Sequence, residues 1–293
     1  MAPGNGGGAG GLDATGGLGA GGAGVAGPDA TAGLGAGGAE SADLAGPDAA
    51  PGMARPEGAE RLERLVAERW ARAQERVDAA CAASGRPAGS VRVLLATKTQ
   101  PAALIRAALA AGASLIGENR VQEMVAKGPE LAGLPHELHL IGPLQSNKVN
   151  AALRWADCIQ TVDSLRLAER ASRRASVRER PLDVMVQVNV SGEPTKSGIA
   201  PEEAEALAHQ ISALSGLRLT GFMTIGPLVA DAGEIRRAYA ALRHIRDQVV
   251  ASGAPGTAQA AELSMGMSGD LEEAIAEGAT MVRLGTAVFG ARI

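Results

Sequence analysis

The order of apolar segments predicts an α/β fold, a single (β/α)₈ barrel over residues 59–293. Three observations carry this expectation. Eight β-like runs alternate with amphipathic stretches, and every run but the last is clearly followed by a helical one. The 235 residues involved suit a barrel of this kind. No glycine-rich phosphate fingerprint follows a strand, as the rival doubly wound sheet would favour.

Leu62, Leu65, Val66 and Arg69 recur at helical spacing and predict an opening helix from about Glu60 to Ala83. Val91–Thr97 is the first strand, and Pro101 suits the first turn of the helix after it. Ser114–Gly117, Glu137–Ile141 and Cys158–Thr161 are the next strands. Val121–Lys127, Asn147–Trp155 and Leu165–Ala175 are the helices that follow them. Leu182–Val190 is a long apolar strand, with a helix after Pro201. Leu217–Met223 precedes a helix over Gly233–Val250. Glu262–Ser264, a helix about Asp270–Glu277 and a last strand at Met281–Leu284 complete the alternation.

Residues 1–58 read differently. They hold 20 of the 40 glycines, six acids, a single base (Arg55) and no aromatic residue. Such a segment cannot bury enough apolar surface to offset its backbone entropy, so a disordered, low-complexity tail is expected. It lacks the basic and apolar regions of a signal peptide. Gly17, Gly19 and Gly22 match a dinucleotide-binding spacing, but no strand precedes them. Met53 is a candidate start of translation.

Composition excludes several function classes. The net charge of −4 argues against a nucleic-acid binder, and five aromatic residues make stacking platforms for bases improbable. Cys81 and Cys158 make neither a disulfide framework nor a four-ligand zinc site, and suit a reducing, cytoplasmic setting. No apolar run approaches membrane-spanning length.

In a barrel, functional groups stand at the C-terminal ends of the strands. Alternate side chains of a strand face opposite sides, so parity sorts them. Val91, Val93 and Leu95 should meet helices, while Leu94, Ala96 and Lys98 face inward. The same rule turns His139, Gln187, Asn189, Met281 and Arg283 inward. Buried charge is costly unless paired or bound, so this convergence points to a polar or anionic ligand, with a structural ion network as the alternative.

The lysines sharpen the reading. The chain has 24 arginines but only Lys98, Lys127, Lys148 and Lys196 as lysines. A retained lysine suggests an amine that must lose its proton, which arginine cannot supply. Lys127 ends its predicted helix and complements the helix dipole. Lys148 and Lys196 lie in polar loops. Lys98 alone ends an apolar strand, where a desolvated amine suits a Schiff base. Ser264-Met265-Gly266 and Gly285-Thr286 follow the last two strands, a common place for phosphate in barrels. A Schiff-base lysine, a phosphate pocket and an inward arginine together suggest pyridoxal 5′-phosphate. Lys98 would hold its C4′, Ser264, Gly285 and Thr286 its phosphate, and Arg283 its ring nitrogen. A guanidinium only donates, so that nitrogen would stay unprotonated and the ring a weaker electron sink.

These residues stand in stretches that resemble the pyridoxal phosphate homeostasis proteins. The stretches are Ala96–Thr99, Ile116–Glu123, His139–Lys148, Gln187–Glu193, Lys196–Gly198, Gly221–Ile225, Leu263–Asp270 and Val282–Thr286. The resemblance covers nearly all of residues 60–293. It implies a single-domain barrel related to the N-terminal domain of alanine racemase. It implies Lys98 as the aldimine lysine, phosphate contacts at Ser264, Gly285 and Thr286, Asn119 and Met223 lining the cofactor, and Arg283 at the ring nitrogen. It also implies a protein that buffers the cofactor and delivers it to apo forms of enzymes that need it, without an established reaction. A monomer or weak dimer is expected. Gln100 stands where some relatives carry a second lysine.

Two rivals follow from the same residues. A racemase would need an acid/base group on each face of its substrate, and the only tyrosine, Tyr239, lies in a helical stretch where it reads as packing. A Schiff-base aldolase acting on a sugar phosphate would share Lys98 and the phosphate site without a chromophore.

Overall fold

The computed structural model describes residues 57–290, so the reading of a tail over 1–58 falls almost wholly outside the described residues. The long helix α1 (Glu57–Ala83) takes in residues 57 and 58. Eight strands follow, each with a helix behind it: β1 (Arg92–Ala96), α2 (Ala102–Ala110), β2 (Leu115–Glu118) and α3 (Val121–Leu131). Next come β3 (Glu137–Leu140), a 3₁₀ turn at Ser146–Lys148, α4 (Val149–Ala152), β4 (Cys158–Val162) and α5 (Leu165–Ala175). Then stand β5 (Leu182–Gln187), α6 (Pro201–Ser212), β6 (Leu217–Met223) and α7 (Ala232–Ala251). The chain ends with β7 (Glu262–Ser264), α8 (Leu271–Ala276), β8 (Met281–Leu284) and α9 (Thr286–Phe289).

All eight strands are parallel and close into a barrel in chain order. Closure pairs β1 with β8, setting Leu94 beside Arg283 and Leu95 beside Leu284. α1 lies over this seam, against α2, α8 and α9. Arg76 of α1 forks onto Glu272 and also donates to the Ser268 carbonyl.

Strand parity divides the apolar residues into two cores. Val93, Leu95, Ile116, Leu138, Leu140, Val184, Val186 and Val282 pack against the helices. Leu94, Leu115, Cys158, Met185, Met223 and Met281 fill the barrel interior. Each buried aliphatic side chain contributes roughly 1.5–3 kcal/mol, so the larger outer layer dominates stability.

Three boundaries differ from the sequence reading. β5 stops at Gln187, because beyond it the chain pairs only at Val188 with Ile199. The helix expected over Asn147–Trp155 shrinks to the 3₁₀ turn and the single turn of α4. α3 runs on past Gly128-Pro129, which would ordinarily read as a stop. Gly128 serves packing instead: a Cβ there would lie 2.4 Å from the Trp155 ring. Lys127 is therefore inside α3 and does not cap its end.

Candidate functional site

Met223 ends β6 and Ser264 ends β7. Arg283 lies in β8, with Gly285 and Thr286 directly after it. Lys98 follows β1 and Asn119 follows β2. These strands are consecutive around the barrel, so all seven predicted residues share one arc of its C-terminal mouth.

Lys98 is exposed, not desolvated as expected. β1 ends at Ala96, and Thr97 turns its hydroxyl outward to Glu118 (2.7 Å) and the Gly117 carbonyl (3.1 Å). The chain then lifts onto the rim, and Lys98 Nζ has no partner among the described residues. Asn119 brings a buried Oδ1 that also lacks a hydrogen-bond partner. Thr286 is exposed at the start of α9, and Gly285 caps that helix, its carbonyl accepting from Val288 and Phe289 N–H. A Cβ on Gly285 would sit 3.3 Å from the Ala96 carbonyl, so glycine keeps the two strand ends close.

Arg283 is 6 % exposed and faces no carboxylate. Three of its five N–H groups reach the Ser264 carbonyl (2.7 Å), Ser264 Oγ (2.9 Å) and the Thr224 carbonyl (2.6 Å). The other two bond nothing among the described residues. Burial lowers its pKa, against weaker support from the oxygens of Tyr239 and Asp270. A buried cation without an ion-pair partner is costly, and its two unused N–H groups call for an acceptor.

From Arg283 a chain of hydrogen bonds descends through the barrel. Ser264 Oγ accepts from Arg283, so its own proton goes to Gln160 Oε1 at 2.7 Å. That fixes the Gln160 amide, whose Nε2 meets His139 Nδ1 at 2.8 Å and Met281 Sδ at 3.1 Å. Nδ1 then accepts, the ring proton sits on Nε2, and Nε2 lies 3.4 Å from Glu137. The side chain of Ser264 is thus engaged within the barrel. Gln160 was missed from the sequence; parity in its strand, where it shares the inward side with Cys158, was the available signal.

Gln187 faces inward and donates to the Ser197 carbonyl. Asn189 lies past β5 and ties its own loop through the Glu193 carbonyl, instead of lining the interior. Lys196 is tethered to Glu193 (2.6 Å) and the Gly226 carbonyl (2.8 Å). Tyr239 is fully buried in α7, its hydroxyl donating to Asp270 at 2.7 Å. Burial, the nearby Asp270 charge and this hydrogen bond raise its pKa.

At the other end of the barrel lies a hollow of about 660 Å³ lined by Arg92, Glu137, Asp183, Arg218 and Glu262. Arg92 reaches Glu137 (2.6 Å) and Glu262 (3.5 Å), and Arg218 forks onto Asp183. Hydrogen bonding from His139 and then Arg92 holds Glu137 down at about 2 against a partial loss of hydration. Burial outweighs the Arg92 charge at Glu262 and pushes its carboxyl up. Among the described residues, no helix is long and apolar enough to cross a membrane, and no cluster of metal-ligating side chains is present.

Known proteins match this chain along the barrel. Residues 73–293 match the family described as alanine racemase, N-terminal domain. A pyridoxal phosphate homeostasis protein of Pseudomonas aeruginosa is 44 % identical over 227 residues, which cover 78 % of this chain and 96 % of that protein. A crystal structure of an unknown protein from Bifidobacterium adolescentis is 47 % identical, with a TM-score of 0.76 over 78 % of this chain and 96 % of its own. PipY of Synechococcus elongatus, solved with PLP bound, is 39 % identical with a TM-score of 0.67, covering 77 % of this chain and 100 % of its own.

Proposed function

The chain belongs to the family of pyridoxal phosphate homeostasis proteins, and we propose that it binds pyridoxal 5′-phosphate at the barrel mouth and buffers it for delivery. The observation that carries the proposal is Arg283, a buried cation held only by carbonyl and hydroxyl oxygens. It fits a ligand with a lone-pair nitrogen that can accept from its two unused N–H groups. The donor set along the arc fits the rest of the group. Lys98 offers a partner-free amine, Thr286 an exposed hydroxyl beside the close-packed Gly285, and Asn119 an orphaned buried oxygen.

The cofactor supplies an aldehyde that an amine can capture and an aromatic ring that can accept electron density. Lys98 would hold the aldehyde carbon. Gly285 and Thr286 would hold the phosphate, with Ser264 beside them on β7 keeping its hydroxyl on Gln160. Asn119 and Met223 would flank the ring. Arg283 can only donate, so it would leave the ring nitrogen free of a proton and make the ring a poor electron sink. That favours storage over turnover. Racemisation needs a second acid/base group, and the only tyrosine is locked on Asp270 inside the outer core. The recipients would be apo forms of enzymes that use this cofactor, in the cytoplasm.

Borohydride reduction of the cofactor-loaded protein, followed by peptide mass mapping, tests the reading. A visible absorption band and an adduct on Lys98 are expected, both lost in Lys98→Ala. An adduct on Lys148 or Lys196, or no band with excess cofactor, would overturn it.

A further inference from the structure

Lys98 lies between two peptide groups that are both held from α3. The Thr97 carbonyl accepts from Lys127 Nζ at 2.9 Å. The Thr99 N–H donates to Glu123 Oε2 at 2.6 Å. Lys127 Nζ closes the cluster, donating to that same Glu123 oxygen (2.9 Å) and to Glu118 Oε1 (2.8 Å). Glu118 Oε1 also accepts from the Thr97 hydroxyl at 2.7 Å. The three N–H groups of Lys127 thus meet three acceptors, and its side chain is only 13 % exposed.

Two features show that this cluster holds a conformation the turn would not choose alone. Thr99 has φ of 62°, the only described non-glycine residue at positive φ. That region is costly for a β-branched side chain and persists when surrounding contacts over-determine it. Glu118 keeps its other oxygen, Oε2, buried without a partner, so the cluster accepts an unsatisfied atom to stay in place. The compact ammonium turns one N–H to each of these three acceptors, a geometry that the planar fork of a guanidinium does not share.

We infer that Lys127, seated by Glu123 and Glu118, is the positioning residue for Lys98. With the carbonyl before Lys98 and the N–H after it both fixed, the direction in which its Cα–Cβ bond leaves the rim is fixed too. The amine is then presented to the mouth before any ligand arrives. This inference rests on the reading of Lys98 as the capturing amine.

The test compares capture of pyridoxal 5′-phosphate by the apo forms of the wild-type protein, Lys127→Met, Glu123→Gln and Arg243→Met. The last variant breaks a helix–helix ion pair to Glu277 far from the turn and serves as the stability control. Capture rate, adduct position, Tm and hydrogen exchange at the Thr99 amide are measured. Lys127→Met is expected to capture roughly 10- to 100-fold more slowly, the cost of misplacing a reacting group. Its adduct stays on Lys98, and its Thr99 amide exchanges faster. Glu123→Gln shows a smaller loss of the same kind, and decides the matter if Lys127→Met does not fold. Arg243→Met captures at the wild-type rate even where its Tm falls as far. Wild-type capture in Lys127→Met, or in Glu123→Gln should that variant alone fold, overturns the inference. So does an equal slowing in Arg243→Met at equal Tm. An adduct absent from Lys98 in the wild type overturns the functional reading itself, and this inference with it.

Discussion

At the floor of the barrel Arg92 lies between Glu137 and Glu262 and Arg218 forks onto Asp183, whereas at the mouth Arg283 meets only neutral oxygens. Both ends bring charge into the closed sheet. At the floor each of these cations has its anion, so the network plugs the barrel and asks for nothing more. At the mouth the cation is buried with the Asp270 charge nearby but no ion pair formed, and two of its N–H groups stay unused. Charge in a barrel points to a binding end when it lacks an ion-pair partner, not merely when it is present. A run of contacts through Ser264, Gln160 and His139 spans the barrel between the two ends, with an arginine above and a carboxylate below.

The largest expected effect separates function from fold at one residue. Lys98→Ala should abolish covalent capture while changing stability by less than about 0.5 kcal/mol, because the side chain is exposed and unpartnered. Spectra and denaturant unfolding of the same sample check both halves. At the floor the outcome should invert. Arg92→Met leaves Glu262 and Glu137 without their shared cation and should cost about 2 kcal/mol, below the figure for a fully buried pair. Capture should stay at the wild-type level. Slower capture in Arg92→Met would show that the two ends are not separable.

Much of this was legible in the sequence, for definite reasons. Parallel strands buried on both sides read as apolar runs, and parity alone assigned Leu94, His139 and Arg283 to the interior. What parity cannot give is the partner across the barrel. Gln160 matters because closure brings β4 opposite β7 and β8, which no local pattern encodes. The floor network was missed because its members open their strands, where charged residues ordinarily meet solvent. Lys127 was misread because Gly128-Pro129 imitates a helix stop, while the reason for that glycine lies in Trp155, far along the chain. Parity puts Lys98 at the C-terminal mouth facing inward, whereas the structure has it exposed there, beside a Thr99 whose left-handed turn no local pattern encodes.

Gln160→Leu strands the Ser264 hydroxyl and His139 Nδ1 and should cost about 1–2 kcal/mol. It should also weaken cofactor binding several-fold, because Arg283 loses its oriented support. Equilibrium binding beside denaturant unfolding would show whether both change. The pH response of the floor is smaller still. Glu137 sits at about 2 against an ordinary 4.5, so its contribution is complete above pH 4.5 and is lost as pH falls toward 2. Because the group is half-exposed, that contribution is about 1 kcal/mol after solvent screening. Glu262, pushed up by burial, works in the opposite sense and is relieved by acid. Stability should therefore fall mainly below pH 4.5, and Arg92→Met should flatten that fall.

The central claim is that Arg283 serves the ligand and not the fold, and Arg283→Met tests it most directly. Unfolding of the apo protein and affinity for pyridoxal 5′-phosphate would be measured on the same variant. The account expects apo stability equal to or above wild type, since a buried charge without an ion-pair partner is removed, with affinity at least about tenfold weaker. Apo destabilisation as large as that of Arg92→Met, with affinity unchanged, would contradict it and make the mouth a second structural plug.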